Sequence, residues 1–148
     1  MLGKYKINFF HYSQNSILVN WPQSISIEIS TDINTFCKAL YNDKNTIEFR
    51  KGYCSVLIQF NSENISYNHF RLYLINIYKN LKKINIVKPL VWEVPVCYEN
   101  SFSFDMKDYS KKISLTKNEI IQLHSSKTYY LHMYGFRPGF MYLGGLDS

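Results

Sequence analysis

Phe70, Tyr73, Leu74, Ile77, Tyr78 and Leu81 recur at i, i+3, i+4, i+7, i+8 and i+11. This pattern predicts a helix over about Tyr67 to Lys82 with one continuous apolar stripe. Such a stripe is stable only against a second apolar layer, so the chain must supply a sheet or another helix to cover it. Ser66 stands where an N-cap accepts a free amide. Lys79, Lys82 and Lys83 stand at the other end, where the helix dipole favours cations. That placement accounts for the densest basic group without a ligand. Ile29, Ile33, Phe36 and Leu40 also follow helical spacing, whereas Ile25, Ile27 and Ile29 alternate as a strand would. The longer pattern outweighs the shorter, which predicts a helix from about Ile27 to Tyr41.

Strand patterns surround both helices. Tyr5 to Phe10 and Ser16 to Trp21 read as two strands separated by Ser13-Gln14-Asn15, and Pro22 ends the second. Asn42 to Asn45 reads as a loop. Thr46 to Arg50 and Tyr53 to Phe60 read as two more strands around Gly52. A fifth is expected from about Leu90 to Tyr98, with Pro95 marking an edge or a change of direction. The order β-β-α-β-β-α-β predicts an α+β domain: an antiparallel sheet under two helices, containing the ferredoxin-like run β-α-β-β-α-β. The expected boundaries are 1–88 for this domain and 89–148 for a second one.

Composition narrows the function classes. The chain has 148 residues, 46% of them hydrophobic and 17% aromatic, with only six glycines and four prolines. This suits a packed domain and argues against disorder. The net charge of +6 permits an anionic partner, but the lysines are dispersed and form no nucleic-acid-binding tail. Cys37, Cys54 and Cys97 are odd in number and far apart, with no CxxC pair. They read as buried thiols in a reducing compartment rather than as a zinc or redox site. The first residues carry no signal-peptide core, and no stretch approaches the length of a membrane helix. The cytoplasm is the expected location, with no membrane partner.

After residue 100 the texture changes. Asp105 to Ile113 reads as a short helix. Thr116-Lys117-Asn118-Glu119 reads as a capping box that opens a helix to about Ser125. Thr128 to Phe136 reads as a tyrosine-rich strand. Four of the six glycines then fall between Gly135 and Gly145, interleaved with Phe136, Phe140 and Tyr142. Glycine in such numbers serves tight turns and close approach. One strand and such a turn cannot bury their own aromatic faces, so the expectation is an incomplete second domain, cut short or completed by another chain.

Several motifs resemble one family. Val94-Pro95-Val96-Cys97-Tyr98 resembles the "IPVCY" strand of the KipI-type proteins, also called the 5-oxoprolinase B subunit or allophanate hydrolase subunit 1. Ile121-Gln122-Leu123-His124-Ser125 resembles their "VIxLHS" helix. Met133 to Asp147 resembles their "MxGFxPGFxYLGGLD" signature. Ser16-Ile17-Leu18-Val19 and Ser55-Val56-Leu57-Ile58 are similar, more loosely, to the family's "ALLV" and "SLLV". Gln14-Asn15, Glu99-Asn100 and Ser103-Phe104-Asp105 depart from its usual turn residues.

The resemblance implies a subunit that works with an allophanate hydrolase subunit 2-type protein (the 5-oxoprolinase C subunit) and a third protein. Together these cleave 5-oxoproline to glutamate with ATP, which is bound on this chain or on its partner. It also implies that 89–148 begin a cyclophilin-like β domain that continues further in family members. One branch of the family instead inhibits a sensor histidine kinase, and this is the alternative role.

His124 is the candidate catalytic residue. It can serve as an acid, a base or a phosphate contact, or it can simply cap helix carbonyls. Tyr129, Gly135, Phe136, Arg137, Pro138, Gly139, Phe140, Tyr142, Gly144 and Gly145 are the candidate substrate- or partner-binding residues. A tight turn packed by its aromatics is the plainer reading of the glycines. His124 and His132 lack any metal-ligand spacing, so no metal is expected, and His132 reads as a strand-face residue. Lys51 to Ile58 resembles an RNA-recognition motif, but Ser55 and Ile58 at the expected stacking positions argue against nucleic acid as a partner.

Overall fold

The computed structural model describes residues 4–81 and 90–145. They fall into two compact units, one within 1–85 together with 131–143, the other within 86–130 together with 144–148. The expected boundary between residues 88 and 89, and Lys82, Lys83, Lys88, Leu146 and Asp147, lie outside the described residues.

The first unit is a two-layer α+β body. Strand β1 spans Asn8–Ser13, β2 Ser16–Asn20, helix α1 Ile27–Leu40, β3 Thr46–Lys51, β4 Ser55–Phe60 and helix α2 Tyr67–Lys79. The sheet order is β1-β2-β4-β3, with every pair antiparallel. Alternation in β2 and β4 sends Ile17, Val19, Val56, Ile58 and Phe60 to one face. There they meet Ile29, Ile33, Phe36, Cys37 and Leu40 of α1 and Phe70, Leu74 and Tyr78 of α2. Both predicted helices are present, and both start at a serine cap. Ser26 accepts from the Ile29 amide at 3.1 Å. Ser66 accepts from the His69 amide.

A carboxylate ties the layers together. Asp32 of α1 accepts from the Trp21 indole N–H and from the Tyr78 hydroxyl, both at 2.7 Å. The Tyr78 oxygen in turn accepts from the Tyr5 amide at 3.1 Å. Burial and the bond to Asp32 raise the Tyr78 phenol above its ordinary value. At the other end of the unit, Tyr73 donates to Asp43 at 2.7 Å, which pushes its phenol up to about 12.

Five expectations are corrected here. β1 runs from Asn8 to Ser13 rather than Tyr5 to Phe10, because Ser13 still pairs with Ser16 and only Gln14-Asn15 turn. α2 gives way at Asn80, whose amide closes back on Asn76 and Ile77. No strand forms over Leu90 to Tyr98; the segment is exposed, and Pro95 has no donor to give a ladder. The place beside β2 that a last ferredoxin-like strand would take is held by β1. Cys97 is therefore exposed, while Cys37 and Cys54 are buried as expected. Ile58 lies in the core, and the open face of β4 carries Ser55, Leu57 and Gln59.

In the second unit, helix α3 spans Met106–Ile113 and α4 spans Lys117–Ser125. α3 ends with Ser114 in the left-handed region, at φ 56. α4 opens on the predicted capping box, with both reciprocal bonds formed. Of the apolar side chains described in 90–130, Ile120, at 8% exposure, is the one that is buried.

Strand β5 (Tyr130–Tyr134) pairs with β6 (Met141–Gly144). The tyrosine strand is shorter than expected, and the glycine-rich stretch supplies a second strand that its composition concealed.

Candidate functional site

The candidate residues gather at two places, one in each unit. In the second unit His124 sits in the last turn of α4, held by the capping box at the helix's far end. The Tyr98 hydroxyl hydrogen-bonds with His124 Nδ1, and the two rings meet edge to face with centroids 5.9 Å apart. On the other side the Tyr129 ring lies 5.6 Å from the imidazole, and its hydroxyl donates to the His124 carbonyl oxygen at 2.9 Å. Tyr98, from the Val94–Tyr98 motif, and Tyr129, a candidate binding residue, thus converge on one exposed imidazole. Chemically the group holds an imidazole, a side chain able to give or take a proton at either ring nitrogen, in a fixed ring orientation.

The second place is the β5–β6 hairpin of the first unit. Its connection closes through Gly135 N–H to the Phe140 carbonyl at 2.8 Å and Phe140 N–H to the Arg137 carbonyl at 3.0 Å. Gly139 takes φ +75 with open space around it, so a side chain there would be strained by the backbone alone. Gly135 is required for another reason. A Cβ there would lie 2.5 Å from the Phe140 ring and 2.9 Å from the Tyr142 ring. The turn is therefore packed by Phe140 and Tyr142, whereas Phe136, which the plainer reading also expected to pack there, is 87% exposed. Two of its amides are spent on closure and are not aimed at a ligand. Phe136 and Arg137 project at the tip, the guanidinium 5.4 Å from the ring centroid. Such exposed aromatic and arginine side chains are the types that anchor interfaces.

Sequence reasoning placed His132 on a strand face and assigned it nothing further. The structure gives it a partner: Nδ1 lies 2.7 Å from Ser30 Oγ of α1. Its ring lies 5.5 Å from that of Tyr53, which also meets Tyr142 edge to face at 5.5 Å. Burial holds the imidazole below its ordinary proton affinity. A serine in the apolar stripe of a helix was the one available signal, and its partner 102 residues away was not.

Among the described residues, no group of three or more His, Cys, Asp or Glu side chains could hold a metal, and no helix is long and apolar enough to cross a membrane.

Residues 7–148 match the family model described as "Carboxyltransferase domain, subdomain C and D". The chain is 26% identical over 142 residues to the B subunit of the Haemophilus influenzae 5-oxoprolinase, a match covering 96% of this chain and 66% of that protein. It is 41% identical over 56 residues to the B subunit of the Bacillus subtilis 5-oxoprolinase, covering 38% of this chain and 23% of that protein. Among solved structures, the fold is similar to part of the Kluyveromyces lactis urea carboxylase. There the TM-score is 0.69 at 17% identity, covering 88% of this chain and 14% of that one.

Proposed function

Because the chain belongs to the carboxyltransferase-domain family, subdomain C and D, we propose that it serves as the B-type subunit of an ATP-dependent 5-oxoprolinase. The observation that carries this reading is the match to a protein of that name along 96% of the chain.

In this role the chain works with an allophanate hydrolase subunit 2-type protein and a third subunit, and residues 89–148 open a cyclophilin-like part of the full fold. The reaction adds water across the ring amide of 5-oxoproline: the water oxygen bonds to the carbonyl carbon, the C–N bond breaks, and the nitrogen takes a proton. His124 is suited to move that proton, since Tyr98 and Tyr129 fix its ring and leave the imidazole accessible. ATP supplies the driving force from this chain or its partner. The hairpin tip, with Phe136 and Arg137 exposed, serves partner or substrate contact.

The test is reconstitution of the complex with 5-oxoproline and ATP. Glutamate formation requires this chain, and His124→Gln lowers kcat by about 100-fold, the scale of one general acid or base. Equal activity without the chain would remove the reading.

The exposed run Leu90, Val91, Trp92, Val94 and Val96 supports a second role, docking on a sensor histidine kinase. Inhibition of kinase autophosphorylation in the absence of the other subunits would favour it.

A further inference from the structure

We propose that Tyr98 is a positioning residue: its hydroxyl holds neutral His124 as the tautomer with hydrogen on Nε2, so that the ring meets substrate as a donor. The use in catalysis rests on the 5-oxoprolinase reading above; the tautomer does not.

Tyr98, His124 and Tyr129 all lie in the second unit, and the two tyrosines do different things to the histidine. His124 stands in the last turn of α4, where backbone carbonyls run out of amide partners. The Tyr129 hydroxyl donates to one of these, the carbonyl of His124 itself, at 2.9 Å. Its ring stands beside the imidazole, with centroids 5.6 Å apart. That contact fixes the backbone and flanks the ring without engaging a ring nitrogen. The Tyr98 hydroxyl, by contrast, bonds Nδ1.

A neutral imidazole has one N–H and one bare nitrogen, and the bond made at one nitrogen decides which is which. Two arrangements fit the Tyr98 contact. Either the phenol donates to a bare Nδ1, or Nδ1–H donates to the phenol oxygen. The first is the stronger pairing. A phenol oxygen shares its lone pair with the ring, which makes it a good donor and a poor acceptor. A bare imidazole nitrogen keeps its lone pair in the ring plane and accepts well. Nδ1 therefore accepts, and the hydrogen sits on Nε2. With Nδ1 engaged and the imidazole exposed, Nε2–H is what substrate meets.

This arrangement suits the opening of 5-oxoproline, whose ring nitrogen needs a proton as its C–N bond breaks. Nε2 gives its hydrogen to that nitrogen while Tyr98 passes its own to Nδ1, so the imidazole never becomes an anion. The water that bonds its oxygen to the carbonyl carbon returns a proton to the Tyr98 oxygen. The exposed ring then regains its starting tautomer by exchange with solvent.

The test reads the tautomer first and turnover second. In the full chain, isotopically labelled at nitrogen and without substrate, NMR follows the two His124 ring nitrogens on the alkaline plateau of their titration. Nδ1 is expected at the bare-nitrogen position and Nε2 at the N–H position. Tyr98→Phe keeps the ring that meets His124 edge to face but removes the donor. The two resonances then move toward each other as the tautomers mix. Tyr129→Phe removes the bond to the backbone carbonyl and leaves both resonances in place. In the reconstituted complex, Tyr98→Phe lowers kcat by about tenfold with KM little changed, the scale of one hydrogen bond to a group that develops charge. Unchanged resonances in Tyr98→Phe, or a protonated Nδ1 in the unaltered protein, would overturn the tautomer. Shifted resonances with an unchanged kcat would overturn the part Tyr98 plays in turnover. A complex that makes no glutamate with the unaltered chain removes the 5-oxoprolinase reading, and the nitrogen resonances still decide the tautomer.

Discussion

The β1–α2 body and the 90–130 region are built on opposite principles. In the body, two helices and a sheet bury each other, and Trp21, Phe36, Phe60 and Phe70 are all but fully removed from water. In 90–130 the order comes from local devices: the capping box of α4, the left-handed Ser114 at the end of α3 and the tyrosine bonds around His124. Its large apolar side chains, Trp92 and Phe104 foremost, face outward, at 79% and 86% exposure. Hydrophobic burial is roughly proportional to the area removed from water, so the first region draws its stability from burial and 90–130 draws far less from it. Both carry family resemblance; among the described residues, the first holds the continuous buried cluster, and 90–130 buries Ile120.

Substitutions can break or sharpen this contrast. Phe36→Ala removes a fully buried ring and is expected to cost about 3–5 kcal/mol, read as a lower urea midpoint of the first unit. Phe104→Ala is expected to stay within about 0.5 kcal/mol. Equal effects would erase the distinction. Asp32→Ala strands the Trp21 N–H and the Tyr78 hydroxyl and should cost about 1–3 kcal/mol in the same assay. Thr116→Ala removes the capping box. It should cost about 1 kcal/mol, visible as faster amide exchange over 117–125 with the body unchanged. The smallest effect is chemical rather than energetic. Cys37, buried and pushed up to about 12, should resist a thiol reagent at pH 8 in the native protein, whereas exposed Cys97 reacts at once.

The same contrast governs what could be read from the residues alone. Where burial is local and periodic, the pattern sufficed: the stripe Phe70 to Leu81 and the Ile29 to Leu40 spacing located both helices. Ser66 and the Thr116–Glu119 box located helix starts, because capping is a contact between neighbours in sequence. The β-prone residues of Leu90 to Tyr98 misled because such residues report a face suited to cover, not whether a strand lies beside it. β6 was hidden because glycines dominate Gly135 to Gly145, although only Gly135 and Gly139 need to be glycine for the turn itself. At the candidate site, family resemblance brought forward His124 and the glycine-rich turn. The Ser30–His132 bond joins residues too distant for any periodicity to connect.

In the proposed complex, partner polypeptide is expected to cover the outward apolar surface of 90–104 and the hairpin tip. Hydrogen exchange by mass spectrometry, comparing the chain alone with the chain reconstituted with the proposed partner subunits, tests it directly. Peptides spanning 90–104 and 134–143 should slow on assembly, while those of β2 and β4, already buried, stay as they are. Exchange that is identical in both states across 90–104 and 134–143 would contradict the account.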